Sequence, residues 1–228
     1  MKLLGLFSGG KDSTFALYKA GKIGHEISCL VTICPYGDSS MLFHYPNCRL
    51  ATYLGEALNI PSLVFNAKSV TKEEEARDLE RSIVRATSQY RVEGVVHGAI
   101  YSRYQKHVIE KICEKLSLEE VSPIWHIEES NYIDMLIEKK FEIMIVAVSA
   151  MGLDDSWLGV RLDSESLERL KHIARIHRIN LTFEGGDAET LVVDCPIYRK
   201  KLEIKRATTK WDGQRGIFEI QDAALVEK

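Results

Sequence analysis

Short apolar runs alternate with amphipathic stretches over most of the chain. The runs have the length and composition of strands and cover residues 2–7, 26–33, 62–65, 94–97 and 142–148. Segments with apolar residues at helical spacing lie between them, including one after Pro46 and one behind the capping box Thr71-x-x-Glu74. Strands that alternate with helices pair in parallel through right-handed crossovers. The pattern therefore predicts an open, doubly wound, mostly parallel α/β sheet.

The pattern changes after about Leu181. Three short strand-like runs then follow without helices between them: Leu191–Val193, Leu202–Arg206 and Gly216–Ile220. We therefore expect two parts, an α/β domain over residues 1–180 and a small β-rich C-terminal appendage over residues 181–228.

Composition and charge exclude several classes of protein. Hydrophobic residues make up 45% of the 228 residues and charged residues 28%, which suits an ordinary soluble core. The net charge of −3 lacks the basic excess of nucleic-acid-binding domains, so no nucleic acid is expected as a partner. The apolar start is too short for a signal peptide, and the longest apolar run, Ile143–Val148, is too short to span a bilayer. We expect a cytoplasmic protein with no membrane partner.

Cysteine usage gives no sign of a disulfide framework or a zinc ribbon. The number of cysteines is odd and no C-x-x-C pair occurs among Cys29, Cys34, Cys48, Cys113 and Cys195.

The segment Ser8–Ser13, which reads SGGKDS, carries the strongest chemical signal. It directly follows the first strand and begins the first helix. Gly9 and Gly10 let backbone N–H groups turn toward a ligand, and the helix N-terminus adds positive potential. Lys11 adds a full positive charge. These features together predict a phosphate-binding loop at the carboxyl end of a strand, where open α/β sheets bind ligands.

The polar side chains of this loop suit a nucleotide with magnesium. Ser8 and Ser13 offer hydroxyl donors, and Asp12 can hold a Mg²⁺ ion that bridges phosphates. Gly5–Lys11 fits G-x-x-x-x-G-K, but Asp12 stands where a Walker A loop needs Ser or Thr. The sequence therefore predicts a phosphate loop of another kind.

An S-G-G-x-D-S loop after a first strand resembles the pyrophosphatase loop of the adenine-nucleotide alpha-hydrolase-like superfamily, whose members cleave ATP between the α and β phosphates. Further segments narrow the resemblance and occur in the order Gly98–Gln105, Ser122–Trp125, Gly152–Gly159 and Glu184–Thr190. Together they resemble the diphthine–ammonia ligase family in its short, archaeal form, over nearly the whole chain. The last segment departs from the family, which has Glu and an aromatic residue at the positions of Asp187 and Ala188.

The resemblance implies an AMP-forming ligase. ATP would adenylate the carboxylate of diphthine on translation elongation factor 2, and ammonia would then displace AMP to give diphthamide. The resemblance also implies that the Ser8–Ser13 loop and Gly98 bind ATP, that Lys11 and Asp12 are catalytic, and that Asp12 holds Mg²⁺.

The Glu184–Thr190 segment is the candidate acceptor site. Gly185 and Gly186 leave room for a close approach to the backbone. The resemblance implies a substrate or ammonium site formed by Glu184, Asp187, Glu189 and Thr190, and a polar turn is the alternative. Glu189 would either deprotonate the incoming ammonium or hold the trimethylammonium group of diphthine, and we favour the holding role.

Three further residues are candidates for substrate binding. His44 and Asn47 lie in the loop after the second strand, near the edge where ATP is expected, and His44 resembles a histidine of the family. Trp157 follows the apolar run 142–148 and could contact the quaternary ammonium through its ring. The alternatives are a solvated side chain for His44 and packing alone for Trp157.

Other functions stay open at this point. Another enzyme with the same loop, which modifies tRNA or a small molecule, is one alternative. A tRNA thiolase would need paired cysteines and a basic face, and neither is evident. A nucleotide sensor without turnover would need the loop but not the acidic segment. A homodimer is a candidate assembly.

Overall fold

The computed structural model describes residues 1–37, 40, 42–43, 47–68 and 71–228. The chain divides into two compact units, Met1–His126 and Ile127–Lys228. None of the helices among the described residues has the length and apolar character needed to cross a bilayer.

The described residues of the first unit form a five-stranded parallel sheet in the order β3-β2-β1-β4-β5. Its strands are β1 (Lys2–Leu6), β2 (Glu26–Cys34), β3 (Ser62–Asn66), β4 (Gly94–Val96) and β5 (Glu119–Val121). The connecting helices are α1 (Lys11–Lys22), α2 (Ala51–Leu58), α3 (Lys72–Gln89) and α4 (Arg103–Leu116). The strand order reverses between β1 and β4, so their carboxyl ends flank the crevice where such sheets bind ligands. The predicted doubly wound α/β fold is confirmed.

Helices cover both faces of this sheet. Successive residues of β1 point to opposite faces, so neighbouring residues pack against different helices. Leu4 packs in a buried cluster with Ile83 of α3 and Ile109 of α4. Its neighbour Gly5 faces α1, and a Cβ at that position would lie 2.6 Å from Cδ2 of Leu17. Gly5 therefore allows α1 to pack closely on the strand and takes no part in a Walker A loop.

Thr71 is the N-cap of α3, as the sequence predicted, and its hydroxyl accepts a hydrogen bond at 3.4 Å from the backbone N–H of Glu74. The end of α1 differs from the sequence pattern. A glycine near the end of a helix often marks a left-handed C-terminal turn, but Gly21 lies inside α1, which continues to Lys22. The left-handed residue is Gly24, with φ +92°.

A disulfide joins Cys34, the last residue of β2, to Cys48, which begins a short 3₁₀ turn before α2. The odd number and the spacing of the cysteines gave no sign of a disulfide framework, and this single disulfide was not predicted. The two Cα atoms lie 5.5 Å apart, a distance set by the return of the chain from β2 to α2. The remaining cysteines are buried thiols, and burial raises their pKa to about 11 for Cys29 and about 12 for Cys113 and Cys195.

The second unit contains an antiparallel four-stranded sheet in the order β7-β6-β9-β8. Its strands are β6 (Glu142–Val148), β7 (Ala188–Asp194), β8 (Lys200–Trp211) and β9 (Gly216–Glu227), and its helices are α5 (Tyr132–Glu138) and α6 (Ser164–His177). The predicted C-terminal strands are present and are longer than expected.

The division between the two units differs from the predicted boundary at 180/181. The apolar run over residues 142–148 was assigned to the parallel sheet, but β6 pairs antiparallel with β7 and β9. A central strand buried on both faces has the same apolar pattern in either kind of sheet. The second unit therefore begins at Ile127 and includes β6, α5 and α6.

Candidate functional site

The predicted phosphate loop lies at the carboxyl end of β1, and neighbouring strand β2 fixes its base. The backbone N–H of Phe7 donates to the carbonyl of Val31 at 2.9 Å, and the Thr32 hydroxyl donates to the carbonyl of Phe7. Gly9 then turns the chain with φ +81°, a conformation that favours glycine. Gly10 is the N-cap of α1 and makes no side-chain capping bond. The first N–H groups of α1 thus begin directly at the loop.

The two loop serines contact each other across the turn. Their hydroxyl oxygens lie 3.1 Å apart, and Ser13 Oγ accepts from the backbone N–H of Ser8 at 3.2 Å. Ser13 also donates to the carbonyl of Gly10 at 3.2 Å, while the N–H of Gly10 donates to Ser8 Oγ at 3.3 Å. The two hydroxyls therefore hold the loop in a closed turn.

Lys11 and Asp12 form an ion pair at the start of α1. Lys11 Nζ lies 3.0 Å from Asp12 Oδ2, and the two side chains are 3% and 27% exposed. A buried ammonium needs an anionic partner, which Asp12 provides. The carboxylate is the accessible half of the pair, so Asp12 is the side chain that could bind a metal ion.

Gly98 follows β4 and lies directly against the phosphate loop. A Cβ at Gly98 would lie 2.6 Å from the carbonyl carbon of Asp12 and 2.6 Å from the backbone nitrogen of Ser13. The structure therefore brings Gly98 to the loop residues with which the sequence grouped it. The contact is between backbones, so Gly98 supports the loop and leaves no room for a side chain.

A partly buried polar network that the sequence did not reveal lies behind Gly98. His97 is 2% exposed, and its Nε2 lies 2.5 Å from Glu120 Oε1 on β5. Lys106 of α4 donates to both carboxylate oxygens of Glu120 at 3.0 Å. Burial would raise the pKa of Glu120, but the hydrogen bonds from His97 and Lys106 outweigh it and lower that pKa to about 2. Glu120 is thus held as a carboxylate.

Asn47 lies beside the disulfide at the end of the loop after β2. It adopts φ +64°, a left-handed conformation that Asn tolerates better than most residues, and precedes Cys48. His44, the other candidate from this loop, lies outside the described residues.

In the second unit, the acidic candidates occupy two different kinds of structure. Glu184 lies in a turn with Gly185 and Gly186, whose φ values are +93° and +83° and whose missing side chains would meet open space. Glu189 and Thr190 lie in β7, where they pair with Ala147 and Ile145 of β6.

The turn is tied to the segment after β6. The backbone N–H groups of Ser149 and Ala150 donate to the carbonyl of Asp187 at 2.9 and 3.2 Å, and the Ser149 hydroxyl donates to the carbonyl of Gly186. The Glu184–Thr190 segment therefore contacts the two residues that directly follow β6, just before the Gly152–Gly159 segment begins.

Trp157 lies in the core of the second unit. It is 1% exposed, and the guanidinium carbon of Arg169 lies 4.7 Å from the centroid of its ring. The structure thus favours the packing alternative over a role in contacting a quaternary ammonium, because the ring is buried and one face already contacts a cation.

Both units match models of one family. The model described as diphthamide synthase N-terminal domain matches residues 1–120, and the model described as diphthamide synthase C-terminal domain matches residues 128–226. The chain belongs to the diphthamide synthase family. The resemblance found in the sequence is confirmed, and the two family domains correspond to the two compact units.

Curated relatives of this family member carry the name diphthine–ammonia ligase. The Danio rerio protein is 27% identical over 226 residues, which cover 92% of this chain and 88% of that protein. The Homo sapiens protein is 28% identical over 89% of this chain and 82% of that protein. The Schizosaccharomyces pombe protein is 30% identical over 89% of this chain, which spans only 36% of that longer protein.

A more distant likeness exists among solved structures. A protein described as a predicted subunit of tRNA methyltransferase from Methanocaldococcus jannaschii has a TM-score of 0.42 and 16% identity, covering 86% of this chain and 97% of that chain. This likeness is too weak to contribute to the assignment of fold or function.

The donor groups of the Ser8–Ser13 loop fit the phosphates of ATP with magnesium. Hydroxyls, helix N–H groups and an ammonium are the donors that phosphates accept from. Within the described ranges, no group of three or more His, Cys, Asp or Glu side chains could hold a metal by itself. Mg²⁺ is commonly bound by one or two carboxylates together with substrate phosphates, and Asp12 satisfies that pattern.

Proposed function

We propose that the chain is an ATP-dependent amide ligase that converts diphthine on translation elongation factor 2 to diphthamide with ammonia. The proposal rests on the Ser8–Ser13 loop, a phosphate cradle at the carboxyl edge of a parallel sheet in a member of the diphthamide synthase family. Relatives named diphthine–ammonia ligase match across both units, which supports an activity that uses both. The acceptor protein and the ribosome share the cytoplasm, where we place the reaction.

In the first half of the reaction, a carboxylate oxygen of diphthine attacks the α-phosphorus of ATP. The bond between the α and β phosphates breaks and pyrophosphate leaves. Ser8, Ser13 and the N-terminus of α1 bind the phosphates, and Lys11 stabilises the charge on the leaving pyrophosphate. Asp12 holds Mg²⁺, which neutralises phosphate charge when it is bound.

In the second half, ammonia attacks the acyl carbon and AMP leaves. Ammonium must first lose a proton, either to water or to a carboxylate. Glu184, Asp187 and Glu189 give the second unit a negative segment, which suits the trimethylammonium group of diphthine and ammonium itself. We assign the holding role to Glu189, because the turn over Gly185 and Gly186 is open to solvent and lets ammonia enter without a dedicated base.

The test is to incubate the protein with ATP, ammonium and elongation factor 2 carrying diphthine, and to measure the mass of the factor. We expect conversion of a carboxylate to an amide that depends on all three reactants. Binding of ATP without any change in the factor would instead indicate a nucleotide sensor.

A Glu189→Gln variant separates the two roles of Glu189. For the holding role, acceptor-dependent ATP–pyrophosphate exchange and amide formation fall together, and excess acceptor restores both. Retained exchange with little amide would show that Glu189 is the base. Glu168→Gln, at a side chain that is 70% exposed on α6, is the matched control and should change neither.

A thiolating enzyme acting on tRNA is the second candidate function. The observation in its favour is the pairing of Cys34 with Cys48 at the carboxyl end of β2, since such enzymes need reactive paired cysteines. Amide formation that persists in a Cys34→Ser variant, with no sulfur transferred to tRNA by the native protein, would eliminate this candidate.

A further inference from the structure

His97 connects the polar network of the first unit to the loop that follows β4. The backbone N–H of Ala99 donates to Nδ1 of His97 at 3.3 Å. A backbone N–H can only donate, so Nδ1 must carry a lone pair, and the ring proton lies on Nε2. Nε2 then donates to Glu120 Oε1 at 2.5 Å. One ring nitrogen therefore binds the loop after β4, and the other fixes the ring to Glu120.

The residue between His97 and Ala99 is Gly98, which contacts the phosphate loop. Its Cα is so close to the Asp12–Ser13 peptide that a Cβ would lie 2.6 Å from two backbone atoms. Any rotation of the 97–99 segment would move Gly98 into this peptide or away from it. The bond from Ala99 to His97 opposes such a rotation.

The network beyond His97 is anchored on two other elements. Glu120 lies on β5, and Lys106 of α4 also reaches Glu110 Oε1 at 2.9 Å and Ser122 Oγ at 3.2 Å. The Lys106 ammonium lies 5.3 Å from the centroid of the Trp125 ring as well. The anchor therefore has several fixed points, which a positioning group requires to hold another residue accurately.

We propose that His97 is a positioning residue that sets the phosphate loop for ATP through Gly98. The chain of contacts runs from Glu120 to the His97 ring, from the ring to the Ala99 N–H, and from Gly98 to Asp12 and Ser13. His97 touches no reacting atom in this account. This inference rests on the proposed function in taking ATP as the ligand of the loop. It concerns the binding of ATP and not the later steps of the reaction.

Two substitutions of His97 each remove one of the two hydrogen bonds of its ring. The side-chain oxygen of Asn can occupy the position of Nδ1, so His97→Asn retains an acceptor for Ala99 and loses the bond to Glu120. The amide of Gln reaches the position of Nε2, so His97→Gln retains the bond to Glu120 and loses the acceptor for Ala99. If loop positioning is the role of His97, His97→Asn should be the milder change for ATP.

The experiment measures Mg·ATP binding by calorimetry and, separately, ATP–pyrophosphate exchange with the diphthine acceptor. We expect His97→Gln to weaken ATP binding and kcat/KM for ATP by about 10-fold or more, as expected for a misplaced binding loop. His97→Asn keeps the acceptor for Ala99 but loses the anchor on Glu120, so its loss of ATP affinity should be smaller than that of His97→Gln. The KM values for acceptor and ammonium should not change. His107→Gln, at an exposed position of α4, is the matched control.

Three outcomes are distinguishable. Native-like ATP affinity in His97→Gln, or a larger loss in His97→Asn than in His97→Gln, would overturn the positioning role. A second outcome is that the losses of ATP affinity and of activity follow the unfolding free energies of the two variants in every assay. His97 would then be only a core residue, and the positioning role would be overturned. A third outcome is that ATP affinity falls in the expected order, from the native protein to His97→Asn to His97→Gln, while the native protein never modifies the acceptor. In that case the proposed function fails and the positioning role stands.

Discussion

Gly98 and Asp12 are in backbone contact across the crevice between β4 and β1, so the end of one strand supports the phosphate loop of the other. Because the nearest atoms belong to the peptide between Asp12 and Ser13, they cannot rotate away as a flexible side chain would. The contact explains why a glycine stands at position 98 of this chain.

A Gly98→Ala variant should therefore bind ATP at least 10-fold more weakly, because the phosphate loop must shift to admit the new Cβ. Overpacking of this kind should also lower the free energy of unfolding by about 1–3 kcal/mol. Calorimetric titration with Mg·ATP and chemical denaturation measure the two effects. Gly21→Ala, inside α1 with no atom within 4 Å of the added Cβ, is the control and should not impair ATP binding. Native ATP affinity in Gly98→Ala would contradict the contact.

Removal of the Lys11 ammonium should slow the ATP half of the reaction. We expect Lys11→Ala to lower the rate of ATP–pyrophosphate exchange by about 10²-fold or more, because a positioned cation stabilises the leaving pyrophosphate. Asp12→Asn should raise the concentration of Mg²⁺ needed for half-maximal exchange. Lys22→Ala, in the last turn of the same helix, should leave both quantities unchanged. Exchange near the native rate in both loop variants would rule out the assigned roles.

The disulfide should contribute to stability without contributing to chemistry. It joins residues 14 positions apart. Closing a loop of this size lowers the entropy of the unfolded chain and so raises the free energy of unfolding by about 3 kcal/mol. Denaturation of the oxidised protein should show this difference relative to Cys48→Ser, and a reductant should destabilise only the native protein. A reductant that destabilises Cys48→Ser equally would show that its effect does not arise from this bond.

Acid should destabilise the first unit in part through Glu120. Its pKa is about 2 in the folded protein against an ordinary value of 4.5, so its contribution is complete above pH 4.5 and is lost as the pH falls toward 2. Glu120→Gln should therefore flatten the dependence of the unfolding free energy on pH between these values. Denaturant titrations at several pH values measure the slope. An unchanged slope would mean that the bonds from His97 and Lys106 do not favour the carboxylate.

Local patterns predicted much of the first unit. The opposite environments of Leu4 and Gly5 follow from strand geometry, and the capping box at Thr71 correctly located the start of α3. The turn at Gly9 and the start of α1 could be predicted for the same reason. A strand, two glycines and a helix start are all encoded within a dozen adjacent residues.

Features that depend on distant residues could not be read in this way. The apolar run of β6 suits a central strand of either sheet, so its antiparallel partners were missed. Cys34 and Cys48 match no short spacing motif, and His97 and Glu120 meet only because β4 and β5 are neighbours. The buried state of Trp157 depends on the packing of α6, which its own segment does not specify.

In the proposed reaction, ATP activates the acceptor carboxylate as an acyl-adenylate. The most direct test labels the diphthine carboxylate of elongation factor 2 with ¹⁸O and follows the label through one turnover with ATP and ammonium. AMP and pyrophosphate should be the products, with one ¹⁸O transferred to the phosphate of AMP for each amide formed. ADP and orthophosphate as products, or amide formation with no label in AMP, would contradict the proposed reaction.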